Sequence, residues 1–143
     1  MAELTSETLH ASCVAIDGTA VLISGRSGSG KSDLTLRLID RGAVLVSDDY
    51  TIVRQDQGTL FATAPDTIIG QIEVRGLGIV TLPAVANVPV ALLVELDSEI
   101  SRMPEAGTGR AIAGLMLASI ALAPFEASTP IKVELALRQR VAA

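Results

Sequence analysis

A glycine-rich stretch from Gly25 to Ser32 has the residue types and spacing to bind phosphate. It reads Gly-Arg-Ser-Gly-Ser-Gly-Lys-Ser and matches the pattern G-x-x-x-x-G-K-[ST]. Glycines let the backbone curve around an anion so that successive N–H groups point inward. Lys31 could reach the β- and γ-phosphates of a nucleotide, and the Ser32 hydroxyl could bind Mg²⁺. We predict a nucleotide or polyphosphate site formed by Gly25, Arg26, Ser27, Gly28, Ser29, Gly30, Lys31, Ser32 and Asp33.

Two adjacent carboxylates, Asp48 and Asp49, follow the next apolar stretch. An acid at a strand end beside a phosphate loop usually serves Mg²⁺ or orients a nucleophile. Neighbouring side chains of a regular strand face opposite ways, so we predict different roles, one near the metal and one near the acceptor. A turn opener before Tyr50 would explain the pair without any chemistry.

Four further residues are weaker candidates when taken alone. Glu73 and Arg75 are two residues apart and therefore share one face of a strand, which an exposed ion pair explains equally well. His10 is the only histidine, and a surface position is the simpler interpretation. Arg110 follows Gly107-Thr108-Gly109 and could stabilise a phosphate from a loop, or could begin a helix.

The elements around the phosphate loop are predicted from apolar runs and turn signals. Asp-Gly between two β-prone runs predicts a hairpin, Gly after a basic turn ends a helix, and a short apolar run is typical of a buried strand. The predicted order is a hairpin of Cys13–Ile16 and Ala20–Ile23 about Asp17-Gly18, the loop, a helix of about ten residues ending at Gly42, and a strand Ala43–Val46.

The rest of the chain predicts more strand than helix. We expect a hairpin of Thr51–Val53 and Thr59–Ala62, a half-exposed strand Gln71–Arg75, a fully buried strand Val90–Leu96, a mobile loop over 97–109 and a buried helix Ala111–Leu122. Ile131–Leu137 fits either a strand or a helix. The predicted fold class is α/β, with a mixed, largely β core that carries the phosphate loop and is flanked by at least two helices.

Composition limits the class of protein. The 143 residues fit one domain, 1–143, and 49% hydrophobic against 19% charged residues exclude a disordered chain. With 11 basic and 16 acidic residues the net charge is −5, which argues against nucleic-acid binding. A single cysteine, Cys13, cannot form an internal disulfide and is expected in the core. Prolines and glycines interrupt the charge-poor stretch 76–94, so we expect a cytoplasmic protein without a membrane span.

Four motifs in order resemble the HPr kinase/phosphorylase family. They are His10, GRSGSGKSD at 25–33, SDD at 47–49 and, most distinctively, IEVRGLGI at 72–79. The ordered resemblance extends from about Leu9 to Ala118. It implies a variant P-loop kinase fold related to phosphoenolpyruvate carboxykinase, and the chain resembles short forms that consist of the catalytic domain only.

The resemblance also implies a reaction: ATP and Mg²⁺ are used to phosphorylate a serine of the phosphocarrier HPr, and phosphorolysis can reverse the step. In that scheme Lys31 and the loop hold phosphates, and Ser32, Glu73 and Asp48 surround the metal. Asp49 serves as the acid/base and His10 lies close to the aspartates. Arg75 and Arg110 match positions linked to the active site and to a mobile loop.

Two other functions are compatible with the same motifs, and self-association is a separate expectation. A small-molecule or carboxykinase-like phosphotransferase and a non-catalytic nucleotide sensor are the other interpretations of the same motifs. We expect a homo-oligomer, with the aliphatic stretch Gly76–Leu82 as a hypothetical subunit contact.

Overall fold

The computed structural model describes residues 5–100 and 108–141. Its strands are β1 (Ser6–Leu9), β2 (Ala11–Ile16), β3 (Thr19–Ser24), β4 (Val44–Ser47), β5 (Thr51–Asp56), β6 (Thr59–Thr63), β7 (Gln71–Val74), β8 (Gly78–Thr81), β9 (Val88–Glu95), β10 (Gly109–Ile112) and β11 (Leu115–Ala121). Its helices are α1 (Lys31–Asp40) and α2 (Thr129–Val141), with one 3₁₀ turn at Asp66–Ile68. No helix within these residues is long and apolar enough to cross a membrane.

A nine-stranded mixed sheet forms the body of the fold, in the order β1-β5-β6-β9-β3-β2-β4, with the β10–β11 hairpin attached to β9 through β11. Strand β3, which leads into the phosphate loop, pairs antiparallel with β2 and parallel with β9. Leu22 of β3 packs into an apolar cluster on one face, whereas Val21 and Ile23 join a second cluster with both helices on the other. Coverage on both faces explains why this strand is apolar at successive positions.

The predicted elements next to the phosphate loop are confirmed. The β2–β3 hairpin turns at Asp17 and Gly18, which have φ angles of 50° and 80°. Helix α1 has the predicted ten residues and ends before Gly42, whose φ is 109°. The strand predicted at Ala43–Val46 is β4, one residue further along the chain. The sheet therefore positions the loop between β3 and α1, and Asp48 directly after β4.

The later predictions are mostly confirmed. β5 and β6 form the expected hairpin, β7 is the half-exposed strand, and β9 carries the buried segment Leu92–Val94. The segment left open at Ile131–Leu137 lies within α2, which buries Val133 and Leu137 at the i, i+4 spacing of a helix face. Residues 101–107 of the loop predicted over 97–109 lie outside the described residues.

The predicted helix Ala111–Leu122 is wrong. These residues belong to β10 and β11, an antiparallel hairpin whose turn has φ angles of 48° at Ala113 and 86° at Gly114. β11 then pairs in parallel with β9, where Ser119 lies opposite Leu93. Periodicity cannot distinguish a short apolar strand from a buried helix, and here pairing with a distant strand decides the structure. Arg110 consequently lies on a strand and not at the start of a helix.

Candidate phosphate-binding and catalytic site

The loop between β3 and α1 requires glycine at particular positions. Gly28 and Gly30 have φ angles of 82° and 103°, which side chains of L-residues rarely allow. A Cβ on Gly30 would also lie 2.9 Å from atoms of Pro124 and Phe125, and a Cβ on Gly25 would overlap the Ser29 side chain. The Ser29 hydroxyl is the buried side-chain atom without a hydrogen-bond partner among the described residues. The motif glycines are therefore required because the loop is tightly closed and has no room for a Cβ atom at Gly25 or Gly30.

Lys31 lies inside this loop with only 5% of its side chain exposed. Its ammonium donates hydrogen bonds to the carbonyl oxygens of Gly25 at 2.8 Å and Arg26 at 3.1 Å, and lies 3.7 Å from Asp49 Oδ1. A buried cation held mainly by neutral carbonyl groups favours an anionic ligand, because burial of charge is costly without compensation. The adjacent start of α1 adds N–H groups that favour the same ligand.

Asp48 is held by three donors directly after β4. Its Oδ1 accepts hydrogen bonds from the hydroxyls of Ser32 at 2.7 Å and Ser12 at 3.1 Å, and its Oδ2 accepts the Glu73 N–H at 3.0 Å. The side chain is buried, since the residue is only 7% exposed. Because the Ser32 proton points to Asp48, lone pairs of the Ser32 oxygen remain available for a cation. These two residues fit the protein side of a Mg²⁺ site, which usually includes one or two carboxylates plus phosphates and water.

Asp49 points away from Asp48 and is more exposed. Its Oδ1 lies 2.8 Å from His10 Nε2, its side chain is 49% exposed, and its N–H donates to the Ser12 hydroxyl at 2.9 Å. The divergence of the two carboxylates agrees with the expectation, but its cause differs. β4 ends at Ser47, and the left-handed φ of 68° at Asp49 turns the second carboxylate away.

A cleft of about 300 Å³ lies beside the loop and the His10–Asp49 pair. Its lining includes Arg110 and Arg26, and the backbone N–H of Arg26 donates to Asp97 Oδ2 at 3.0 Å. The ring of Tyr50 stacks on His10, with centroids 5.0 Å apart. The cleft is lined by Leu9, His10, Ser24, Gly25, Arg26, Glu95, Asp97 and Arg110. It reaches the Asp49 carboxylate only through His10, which lines the cleft and lies 2.8 Å from Asp49 Oδ1.

Three residues predicted from the sequence, all of them described by the structure, have side chains without a hydrogen bond or ion pair to Lys31 or the two aspartates. Arg75 is exposed beyond the end of β7 and forms no ion pair within residues 5–100 and 108–141. Glu73 contributes its N–H to Asp48, while its side chain is exposed. Asp33 pairs with Arg37 Nε at 2.9 Å on the surface of α1. In the described part of the chain no group of three or more His, Cys, Asp or Glu side chains could hold a metal ion.

Sequence reasoning missed Ser12, Tyr50 and Asp97, which contact the aspartates, the histidine and the loop respectively. Ser12 could have been noticed, because it is a hydroxyl residue within the otherwise apolar β2. Tyr50 and Asp97 carry no local signal, since their contacts depend on strands that lie far apart in the sequence.

A glycine loop between a strand and a helix, with a buried lysine and a carboxylate bound to the loop serine, defines a P-loop domain. The family model described as the HPr Serine kinase C-terminal domain matches residues 2–88, and the chain belongs to this family.

Similar proteins agree with this membership. A curated HPr kinase/phosphorylase of Clostridium botulinum is 46% identical over 79 residues, which are 54% of this chain and 26% of that protein. The corresponding protein of Bacillus subtilis is 48% identical over 75 residues, 52% of this chain and 24% of that protein. The chain therefore spans about a quarter of the length of the curated relatives it matches.

A solved structure is similar over nearly the whole chain. The Hpr(Ser) kinase/phosphatase from Coxiella burnetii has a TM-score of 0.78 and 28% identity, covering 95% of this chain and 97% of that one. The predicted fold class, an α/β P-loop kinase domain with a largely β core, is thus confirmed.

Proposed function

We propose that this protein is a cytoplasmic, ATP-dependent serine kinase that phosphorylates HPr and can reverse the reaction by phosphorolysis. The single observation that carries the proposal is the position of the Asp49–His10 pair, 3.7 Å from the Lys31 ammonium of the phosphate loop. Transfer from a nucleotide to a hydroxyl requires a phosphate anchor and a group that accepts the proton of the nucleophile or orients it in the same site.

The polyphosphate of ATP would be held by the loop N–H groups and Lys31. The buried ammonium, the closed glycine loop and the start of α1 support this assignment. Ser32 and Asp48 would hold Mg²⁺ against the phosphate oxygens, with Glu73 at the exposed side. Bound there, the ion would neutralise charge that develops on the transferred phosphoryl group.

Asp49 is the better placed of the two aspartates to act as the base. Both carboxylate oxygens of Asp48 already accept hydrogen bonds, whereas half of the Asp49 side chain is exposed beside the cleft. A serine hydroxyl is a weak nucleophile at neutral pH, so Asp49 would accept its proton as the new P–O bond forms. In the reverse reaction, phosphate attacks the phosphoserine, pyrophosphate forms, and protonated Asp49 returns its proton to the serine oxygen.

Arg110 and Arg26, which both line the cleft, would help to bind the phosphates. Arg110 lines the opening beside His10, where its guanidinium could approach the transferred phosphoryl group. Arg75 is exposed just after β7, and we assign it to recognition of the protein substrate. The assignments of Arg110 and Arg75 extend the family resemblance, and the kinetics of single variants test them.

Self-association is a further part of the proposal. The turn and second strand of the β7–β8 hairpin expose Leu77 and Ile79 to 76% and 63%, which is typical of a contact surface. Size-exclusion chromatography with light scattering that shows a monomer would contradict a homo-oligomer.

The decisive experiment is incubation of the purified protein with γ-labelled ATP, Mg²⁺ and purified HPr, followed by mapping of the labelled residue. Transfer to one serine of HPr is expected, with Lys31→Ala as the inactive control. Absence of label from any HPr serine would contradict the proposal, and label on a histidine would indicate a different phosphotransfer reaction.

A further inference from the structure

The only tyrosine and the only histidine of the chain are in contact. Tyr50 follows Asp48-Asp49 directly, and its ring stacks on His10 with centroids 5.0 Å apart and an interplanar angle of 22°. The other edge of the imidazole carries Nε2, which lies 2.8 Å from Asp49 Oδ1. The His10 imidazole thus contacts the Tyr50 ring through one face and Asp49, the candidate base, through one edge.

Strand pairing explains why these two rings meet. β1 and β5 are antiparallel, and their last pair places Leu9 opposite Thr51. His10 and Tyr50 are the next residues on each side, so they lie opposite each other just beyond the end of the ladder. The Thr51 hydroxyl also donates to the Ala11 carbonyl at 2.8 Å, which ties the two backbones together just beside the rings.

The backbone of Tyr50 is fixed independently of its side chain. Its N–H donates to the Asp48 carbonyl oxygen at 2.8 Å, and its own carbonyl accepts the Ser47 hydroxyl. The position of the ring therefore follows from the turn that presents both aspartates. Although Tyr50 is 48% exposed, one face of its ring is covered by His10.

His10 has room to move without this stacking. Its side chain is 38% exposed and lines the cleft of about 300 Å³. A histidine at such a position can adopt several staggered rotamers, and only some of them direct Nε2 to Asp49. A stacked aromatic pair favours one of them.

We propose that Tyr50 is a positioning residue that holds the His10 imidazole in the orientation in which Nε2 meets Asp49. The proposal deepens the proposed function, on which its kinetic part rests, because it assigns a residue that keeps the base aligned. The aromatic ring carries the effect, and the phenol hydroxyl is dispensable for it. Tyr50 acts through His10 and does not touch the transferred phosphoryl group.

The test uses untagged protein, so that His10 and Tyr50 give the only histidine and tyrosine signals in a proton NMR spectrum. Wild type should show a nuclear Overhauser effect between the two rings. Tyr50→Ala should shift the imidazole signals downfield as the ring current is lost, and Tyr50→Phe should keep them near their wild-type positions. Imidazole signals that do not change in Tyr50→Ala would overturn the proposal.

Kinetics with HPr provide the second measurement. Tyr50→Ala should lower kcat about 2- to 12-fold, the range expected for one aromatic pair, with KM for ATP unchanged and recovery of kcat in Tyr50→Phe. In a His10→Ala background, Tyr50→Ala should cause no further loss. An equal loss in that background would mean that Tyr50 contacts the substrate directly, which overturns the assignment. If wild type does not phosphorylate HPr, the proposed function fails, while the NMR comparison still decides whether Tyr50 stacks on His10.

Discussion

The hydroxyl of Ser12 donates a hydrogen bond of 3.1 Å to Oδ1 of Asp48, at a position where both residues are buried. The Ser12 hydroxyl oxygen in turn accepts the N–H of Asp49 at 2.9 Å. One side chain of β2 therefore fixes the carboxylate of the first aspartate and the backbone of the second. The different orientations of the two acids depend on this contact as well as on the left-handed backbone at Asp49.

Ser12→Ala should therefore reduce both stability and catalysis. It leaves the Asp49 N–H without its partner and removes one of three donors to Asp48, so the free energy of unfolding should fall by about 1–3 kcal/mol. We expect kcat to fall more than ATP affinity, because the loop itself is untouched. Urea unfolding and steady-state kinetics measure the two effects. Ser6→Ala, an exposed serine on β1, is the matched control, and equal behaviour of both variants would contradict this role for Ser12.

Asp49→Asn should separate chemistry from nucleotide binding. An amide cannot accept the proton of a serine hydroxyl, and loss of such a group typically costs about 10²- to 10⁴-fold in rate. ATP binding should persist, because the change removes a negative charge 3.7 Å from Lys31 and leaves the loop intact. Lys31→Ala should instead lose ATP binding. Calorimetric titration together with the HPr assay distinguishes the variants, and full turnover of Asp49→Asn would exclude Asp49 as the base.

Gly30→Ala should destabilise the protein more than Gly28→Ala. Both residues have a positive φ, which costs about 1–2 kcal/mol for a residue with a Cβ. Only at Gly30 would the added Cβ also lie 2.9 Å from Pro124 and Phe125, whereas nothing lies within 4 Å of a Cβ at Gly28. Thermal unfolding of the two variants measures the difference. Equal melting temperatures would show that the 124–125 segment moves aside at little cost.

The parts of the fold that the sequence predicted are those specified by local signals. Asp17-Gly18 specifies a tight turn, Gly42 specifies the end of a helix, and the loop motif combines its own glycines, lysine and serine. The helix predicted over Ala111–Leu122 was wrong, because this segment becomes a strand by pairing with β9. No residue within the segment indicates that pairing.

In the candidate site, too, residues with a local signal were predicted and residues that depend on long-range contacts were missed. Lys31 and Ser32 were found from the motif alone, whereas the contact of His10 with Asp49 was expected only from the family resemblance. Ser12 and Tyr50 were missed, because their contacts join residues 36 and 40 positions apart in the chain. Such contacts follow from the register of β1, β2, β4 and β5, which spacing along the sequence does not encode.

Glu134→Gln should reveal a pH-dependent contribution of the contact between the two helices. Glu134 accepts two hydrogen bonds from Arg41 at 2.8 and 2.9 Å, and these bonds, aided by the charges of Arg41 and Arg138, lower the pKa of Glu134 below its ordinary value of 4.5 despite partial burial. Because the folded pKa is the lower one, the stabilisation is complete above about pH 4.5 and is lost as the pH falls through the folded pKa.

The melting temperature of wild type should therefore exceed that of Glu134→Gln by a few degrees at pH 7, and the difference should shrink progressively below pH 4.5. Melting curves of both proteins between pH 7 and pH 3 provide the comparison. A difference that stays constant across this range would mean that the carboxylate charge contributes nothing to stability.

Cys13 should report nucleotide binding without any assay of activity. It is fully buried on β2, and burial raises the pKa of its thiol, so the folded protein presents neither an accessible nor an ionised sulfur. Alkylation by iodoacetamide should then require unfolding, and ATP with Mg²⁺ at a hundred times its dissociation constant should slow the reaction about 100-fold by stabilising the folded state. Lys31→Ala should abolish this protection, because its loop can no longer anchor the phosphates. Rapid labelling of the folded wild type, or protection that persists in Lys31→Ala, would contradict the coupling between the phosphate loop and the stability of β2.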